Sequence, residues 1–276
     1  MRLLTFHTES GTSAGRLDGD TVVELPYADV RTLLDRPDWR DAATVDGPTR
    51  PLDSVRLAPV VPRPAKIICV GLNYAKHIAE MGRGRPDYPT LFAKYALSLI
   101  GPYDPIVAPS VSTKLDWEVE LGVVIGAPTR HVSPEDALAG VAGWTVFNDV
   151  SVRDWQNRTT QFLAGKTFES TTPVGPTLVT RDEISPDGRG LTVRCTVDDE
   201  VMQESNTDDL LFSAADIVSY LSQIVTLEPG DVIATGTPAG VAAGRQPAPW
   251  LRPGQTVVTE VEGVGVLRNT CVAEDA

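Results

Sequence analysis

The 276-residue sequence predicts a β-rich α+β protein, and three observations carry that expectation. Short apolar runs bounded by glycine, proline, aspartate and asparagine outnumber the segments with helical spacing. These runs do not alternate with helices in a βαβ rhythm, which argues for mixed sheets and against a doubly wound parallel fold. The 23 glycines and 22 prolines follow no period, and they exceed their usual combined share of roughly 12%, as a turn-rich sheet protein requires. Length alone allows two domains of about 150 residues or one large sheet domain.

Residues 1–60 read as a small N-terminal α+β domain. Segments 3–7 and 21–25 are short apolar strands, with glycine and aspartate between them. Segment 29–34 is a short helix that stops near Pro37. Val60-Val61-Pro62-Arg63-Pro64 is then stiff and extended, because a residue before proline is held away from helical geometry. The boundary falls there, and residues 61–276 form the larger second domain. Its strands are expected at 67–70, 117–125, 143–147, 191–197, 231–234, 256–261 and 264–267. Asp198-Asp199 sits between apolar partners as a hairpin turn. Asn73 caps a helix running to about Met81. Ser133 begins another, with Pro134 at its first position. Ser213 begins a third, with Asp216 three residues on, reaching about Val225.

Composition excludes several function classes. The formal net charge is −13, with no basic stripe, so nucleic-acid binding is not expected. Cys69, Cys195 and Cys271 are an odd, unspaced set, which fits a reducing cytoplasm better than a disulfide framework. The first residues are too polar for a secretion signal, and no run of about 18 apolar residues is present to cross a membrane. A cytoplasmic location is the expectation.

The chemistry concentrates in a few segments. Leu115-Asp116-Trp117-Glu118-Val119-Glu120-Leu121 carries an acid at every second position, and alternate residues of a strand share a face. Glu118 and Glu120 would stand side by side, roughly 6.5–7 Å apart at Cα. Such a pair is either a solvated sheet face or a cation site. The apolar continuation Val123-Val124-Ile125 suggests a buried central strand, where carboxylates need a metal or a paired cation. Asp149, at the end of the next apolar strand, is a third candidate ligand. Oxygen donors suit Mg2+, Mn2+ or Ca2+ and not zinc, and the chain has only three histidines.

His77 and Glu80 lie three apart and share a helix face, where a carboxylate beside an imidazole could help it activate water. A plain surface helix with a Lys76–Glu80 pair fits the same spacing. Gly82-Arg83-Gly84-Arg85-Pro86 reads as a mobile loop that could carry positive charge over an acidic substrate, or as an ordinary exposed turn. Arg153 and Gln156 could hold a ligand carboxylate or carbonyl. Lys166 and Thr237 mean little alone, since most lysines are solvated and most Thr-Gly-Thr-Pro stretches are turns. Gly11-Thr12-Ser13-Ala14-Gly15 matches a nucleophile-elbow pattern, but turn residues follow it where a helix is required.

Together these segments resemble the fumarylacetoacetate hydrolase family. Lys66-Ile-Ile-Cys-Val-Gly-Leu-Asn-Tyr74 with His77 and Glu80, Leu91-Phe-Ala-Lys94, Ile100-Gly-Pro-Tyr-Asp104 and Asp116-Trp-Glu-Val-Glu-Leu121 come first. Phe147-Asn-Asp149 with Arg153-Asp-Trp-Gln156, Gly165-Lys-Thr-Phe168 with Pro173-Val-Gly-Pro176, and Thr235-Gly-Thr-Pro-Ala-Gly240 continue in family order. The Asp-Trp-Glu-Val-Glu and Arg-Asp-Trp-Gln variants look closest to the domain-containing-protein-2 subgroup. The resemblance implies the family's mixed β-sandwich roll, usually as a homodimer. It implies Mg2+ or Mn2+ on Glu118, Glu120 and Asp149, and a catalytic dyad of His77 and Glu80. Lys166 would stabilise developing negative charge, while Arg153, Gln156 and Thr237 contact substrate. Departures fall at Glu169 to Thr172, where the family often has Asp-Thr-Phe, at Asp198-Asp199 and at Val152.

The expected activity is metal-dependent hydrolysis of a C–C bond in a small β-diketo or 2-oxo acid, such as an acylpyruvate, through a metal-bound enolate. An oxaloacetate decarboxylase or keto–enol tautomerase would use the same site. A catalytically silent binding protein on the same scaffold is the reading from another class.

Overall fold

The long acidic-apolar segment lies at the centre of the fold because both faces of its strand are covered. In the computed structural model, which describes residues 1–274, Val119–Ile125 is buried at every position, as is its antiparallel neighbour Val141–Asn148. Around this pair an 11-stranded sheet is ordered Thr49–Pro51, Thr21–Glu24, Gly11–Asp18, Arg2–Thr8, Thr172–Thr180, Val141–Asn148, Val119–Ile125, Val232–Ala234, Ile67–Gly71 and Thr90–Ala93. Leu99–Ile100 pairs with Thr172–Thr180 off this path. A five-stranded sheet runs Glu200–Asn206, Thr192–Val197, Thr256–Val261, Gly265–Ala273 and Ile106–Ala108.

Period-two alternation divides the core into two layers. Leu121 and Val123 face the five-stranded sheet and pack in one cluster with Trp144, Val193 and Leu267. Val124 faces the other way and packs with Leu3, Leu33, Val60 and Leu178. Helix Val30–Leu34, capped by Asp29, covers that second face. Arg2–Thr8 pairs antiparallel with Thr172–Thr180, so the N-terminal segment extends the same sheet. Helix Ala214–Ile224 carries the expected Ser213/Asp216 capping box, and Asp198 and Asp199 turn their hairpin at φ 49° and 67°. Among the described residues no helix is long and apolar enough to cross a membrane.

Several expected elements are corrected. Gly11–Asp18 is a strand and not a turn, held on both edges by Arg2–Thr8 and Thr21–Glu24. Its small polar residues give no apolar alternation, so pairing and not propensity makes the strand. Ser13 lies within it opposite Phe6, which removes the elbow geometry. The expected 117–125 strand is interrupted: Leu115–Asp116 pairs with Ser151–Val152, and the main ladder begins only at Val119. Asn73 does not cap the helix. Ala75–Glu80 has Tyr74 at its N-cap position, and the Asn73 side chain instead bonds Phe212 and Thr235. Thr90–Ala93, Thr172–Thr180 and Glu200–Asn206 are further strands that the sequence reading did not place.

Candidate active site

Three strand ends meet where the ladder breaks. Glu118 and Glu120 flank the start of Val119–Ile125, and Asp149 follows the end of Val141–Asn148. One carboxylate oxygen from each lies within 4.8 Å of the others, and all three residues are buried. The solvated-face reading of the acidic repeat is therefore set aside.

Buried cations surround the group. Lys166 Nζ lies 2.6 Å from Glu118 Oε2 and 2.8 Å from Asp149 Oδ2. Lys94 Nζ donates to Asp149 Oδ1 at 2.7 Å and to Val150 O at 3.0 Å. Arg153 Nη2 lies 2.6 Å from Glu118 Oε1, and its Nη1 donates to Gln156 Oε1 at 2.9 Å. Its Nε donates to Asp116 Oδ2 at 2.7 Å. Burial alone would raise the Glu118 pKa, but the charges of Lys166 and Arg153 outweigh it and hold it down to about 2. Glu120 goes the other way. Burial and the neighbouring charges of Asp149 and Glu118 push it well above the ordinary carboxylate range, although it accepts a hydrogen bond from Gly236 N–H at 2.6 Å.

This donor set fits a divalent cation. Among the described residues, Asp116, Glu118, Glu120 and Asp149 are four buried carboxylates facing three buried cations, Lys94, Arg153 and Lys166. The donors at the centre are hard oxygens of the kind Mg2+ and Mn2+ prefer. A bound dication would relieve the repulsion that raises Glu120.

Across the cavity stands the second predicted constellation. Helix Ala75–Glu80 brings His77 Nδ1 within 3.0 Å of Glu80 Oε2. Glu80 therefore pairs with His77 and not with Lys76. Glu80 Oε1 accepts from Gly240 N–H at 3.0 Å. Burial would raise its pKa, but the hydrogen bonds from His77 and Gly240 bring it below the ordinary value. Gly244 leaves room for this carboxylate, since a Cβ there would meet Glu80 Cδ at 2.6 Å and Oε1 at 2.7 Å. Gly244→Ala should push Glu80 away from His77 and lower kcat roughly 10-fold or more, on the usual scale of general-base catalysis. Steady-state kinetics check this; an unchanged kcat would mean that Glu80 yields without leaving His77.

The cavity encloses about 480 Å3. His77, Glu118, Glu120, Arg153, Lys166 and Thr237 line it, with Gln156 beside them. Asp149 and Glu80 stand behind the lining, one held by the lysines and the other braced against His77. Arg83 of the glycine-rich loop and the rings of Phe92 and Phe162 complete the wall. The sequence reading missed the supporting groups. Lys94 appeared only as part of a motif. Asp116 read as a third acid of the stripe, yet it turns to Arg153 and to the amides of Ala242 and Ala243. Asn148 and Gln203, which hold the Glu118 and Val119 amides, carry no spacing signal at all.

Residues 66–272 match the family described as fumarylacetoacetate (FAA) hydrolase C-terminal. The chain belongs to the fumarylacetoacetate hydrolase family. Residues 1–59 match a second family, described as Rv2993c-like, N-terminal. The chain is 43% identical over 271 residues to the mitochondrial oxaloacetate tautomerase Fahd2a of Rattus norvegicus, covering 96% of this chain and 86% of that one. The solved fumarylacetoacetate hydrolase of Exiguobacterium antarcticum superposes with a TM-score of 0.87 at 34% identity, covering 99% of this chain and all (100%) of that one. The 5-carboxymethyl-2-hydroxymuconate delta-isomerase of Mycobacterium smegmatis gives 0.84 at 33% identity, covering 99% of this chain and 100% of that one. The β-rich architecture is thus the fumarylacetoacetate hydrolase fold, and the chain is an enzyme of that family. Relatives within the family are named as tautomerase, hydrolase and isomerase.

Proposed function

We propose that this family member is a divalent-metal-dependent keto–enol tautomerase of a small 2-oxo dicarboxylic acid of the oxaloacetate type. The observation that carries the reading is a single braced imidazole, His77, lining one cavity with Glu118, Glu120, Lys166 and Arg153. A likeness to oxaloacetate tautomerases over most of the chain supports it.

Glu118, Glu120 and Asp149 would hold Mg2+ or Mn2+, which supplies Lewis-acid polarisation of the 2-oxo group. The remaining work falls to the chain. Arg153, Gln156 and Thr237, which line the same cavity, orient the substrate. Lys166 Nζ faces the oxygen on which negative charge develops. Glu80 occupies His77 Nδ1, leaving Nε2 as the nitrogen that exchanges protons. Nε2 accepts a proton from the carbon next to the 2-oxo group, the electron pair moves to oxygen, and the proton is returned there. Atoms and charge balance without water.

A second reading, C–C hydrolysis of a β-diketo acid, uses the same pair on water. His77 takes a proton from water, hydroxide attacks the distal carbonyl, and two acids leave. The His77–Glu80 hydrogen bond favours it, because a braced imidazole is what water activation needs.

The experiment runs oxaloacetate and an acylpyruvate side by side, with Mg2+ and with EDTA, on wild type and His77→Ala. The tautomerase reading expects Mg2+-dependent loss of enol absorbance at unchanged mass, abolished by EDTA and lowered about 10²–10⁴-fold by His77→Ala. Two carboxylic products select hydrolysis, and bicarbonate selects decarboxylation. Binding without turnover of either substrate would sink both enzymatic readings.

A further inference from the structure

Between Leu115–Asp116 and Val119–Ile125 the chain has left one ladder and not yet joined the next. The backbone amides here have no strand partner, and a buried unpaired amide is costly. Trp117 N–H turns back to Asp116 Oδ1 at 2.9 Å. The next two amides are met by side chains from distant parts of the sequence. Glu118 N–H donates to Asn148 Oδ1, and Val119 N–H to Gln203 Oε1, each at 3.0 Å.

Both carboxamides are buried, with exposures of 0% for Asn148 and 1% for Gln203. Both also reach the five-stranded sheet. Gln203 lies on its Glu200–Asn206 strand, and Asn148 Nδ2 donates to Thr259 Oγ1 on Thr256–Val261 at 3.2 Å. Gln203 Nε2 donates to Thr237 Oγ1 and to Pro238 O, each at 2.8 Å. Thr237 Oγ1 donates onward to Val119 O at 3.0 Å. These partners fix the amide's orientation: Val119 N–H needs an acceptor and the Pro238 carbonyl needs a donor. Val119, the residue between Glu118 and Glu120, is thus gripped at both its N–H and its C=O.

We propose that Gln203 and Asn148 are positioning residues that brace the Glu118–Val119 backbone against the second sheet and so set where the Glu118 and Glu120 carboxylates stand for a divalent cation; this rests on the metal reading given above. Neither side chain lines the cavity. Each acts through the backbone it holds, and Gln203 also fixes Thr237, which does line it. An apolar side chain at position 203 would leave the Val119 amide and the Pro238 carbonyl buried without their partner. The segment would then be free to relax by moving both carboxylates together.

The test measures Mn2+ binding to the full-length protein by calorimetry, beside thermal melting. Gln203→Met should bind Mn2+ about 10–100-fold more weakly than wild type, the usual cost of losing an outer support of a metal ligand. Val193→Ala is the control for a merely structural role, because it opens the core of the same sheet and touches neither amide. It should lower the melting temperature and leave Mn2+ affinity within about two-fold. If Gln203→Met does not fold, Thr259→Val replaces it. That change unpairs Asn148 Nδ2 and leaves the carboxamide's bond to Glu118 N–H in place, and should weaken Mn2+ by about five-fold, one hydrogen bond's worth. Unchanged affinity in the variant that folds, or an equal loss in Val193→Ala, overturns the proposal. Wild-type protein that takes up no Mn2+ overturns the metal reading and the proposal with it, and that control separates the two failures.

Discussion

Asp116→Ala is expected to destabilise the protein by about 3–5 kcal/mol, the cost of breaking a buried ion pair from one side. Asp116 is fully buried and accepts four hydrogen bonds, from Arg153 Nε at 2.7 Å, Trp117 N–H at 2.9 Å, Ala242 N–H at 2.7 Å and Ala243 N–H at 3.0 Å. Burial works against the charge on Arg153, but Asp116 and Glu118 outweigh it and raise its pKa, so the guanidinium stays protonated. Without Asp116 that charge keeps only Glu118, and two amides of the 242–243 turn lose their acceptor. The same turn leads into Gly244, which makes room for Glu80, so the loss reaches the dyad as well. Melting temperature should fall by roughly 5–10 °C for a chain of this size. Asp116→Asn keeps the shape and part of the bonding and should lose less. A melting curve for Asp116→Ala that overlays wild type would mean water replaces the carboxylate without cost.

The largest effect on activity is expected from Lys166→Met. Lys166 Nζ touches both Glu118 and Asp149 and lines the cavity, so it joins two acids of the cluster to the space where substrate would lie. Burial would lower its pKa, but the charges of Asp149 and Glu118 outweigh this and raise it, so the group is a fixed ammonium. Removing it should lower kcat by about 10²–10³-fold, as for the loss of one preorganised donor to developing charge. A second consequence is separable from activity. The acidic cluster then keeps only Lys94 and Arg153 as buried cations, so the metal-free protein should melt lower than wild type. Mg2+ should therefore raise the melting temperature of Lys166→Met by more than it raises that of wild type. Equal shifts with Mg2+ and with EDTA in the two proteins would contradict this account of the charge balance.

Much of the site was legible in the sequence because its spacing is local. The alternation of Glu118 and Glu120 and the i,i+3 step from His77 to Glu80 each follow from one repeat of one backbone geometry. Asp149 was legible as the residue that ends an apolar strand. The supporting groups were not. Lys94 meets Asp149 across 55 positions of sequence, and Gln203 meets Val119 across 84. A single lysine or glutamine has no period, so nothing local marks it. The missed strand Gly11–Asp18 has the same explanation in backbone form, since its partners on either side make it extended and its own residues do not.

The sequence by itself determined the β-rich pattern, the hairpin at Asp198-Asp199, the capping box at Ser213 and the set of acids, imidazole and lysine that could do chemistry. Tertiary structure decided which of two meanings each of these had. An acid at every second position is a wetted face or a cation site, and a His77–Glu80 step is a surface helix or a braced base. The difference is burial, and burial depends on what packs against the face. Here the five-stranded sheet and the loop from Thr235 to Arg245 close over both groups. In the low dielectric they create, charges that water would have screened must find partners.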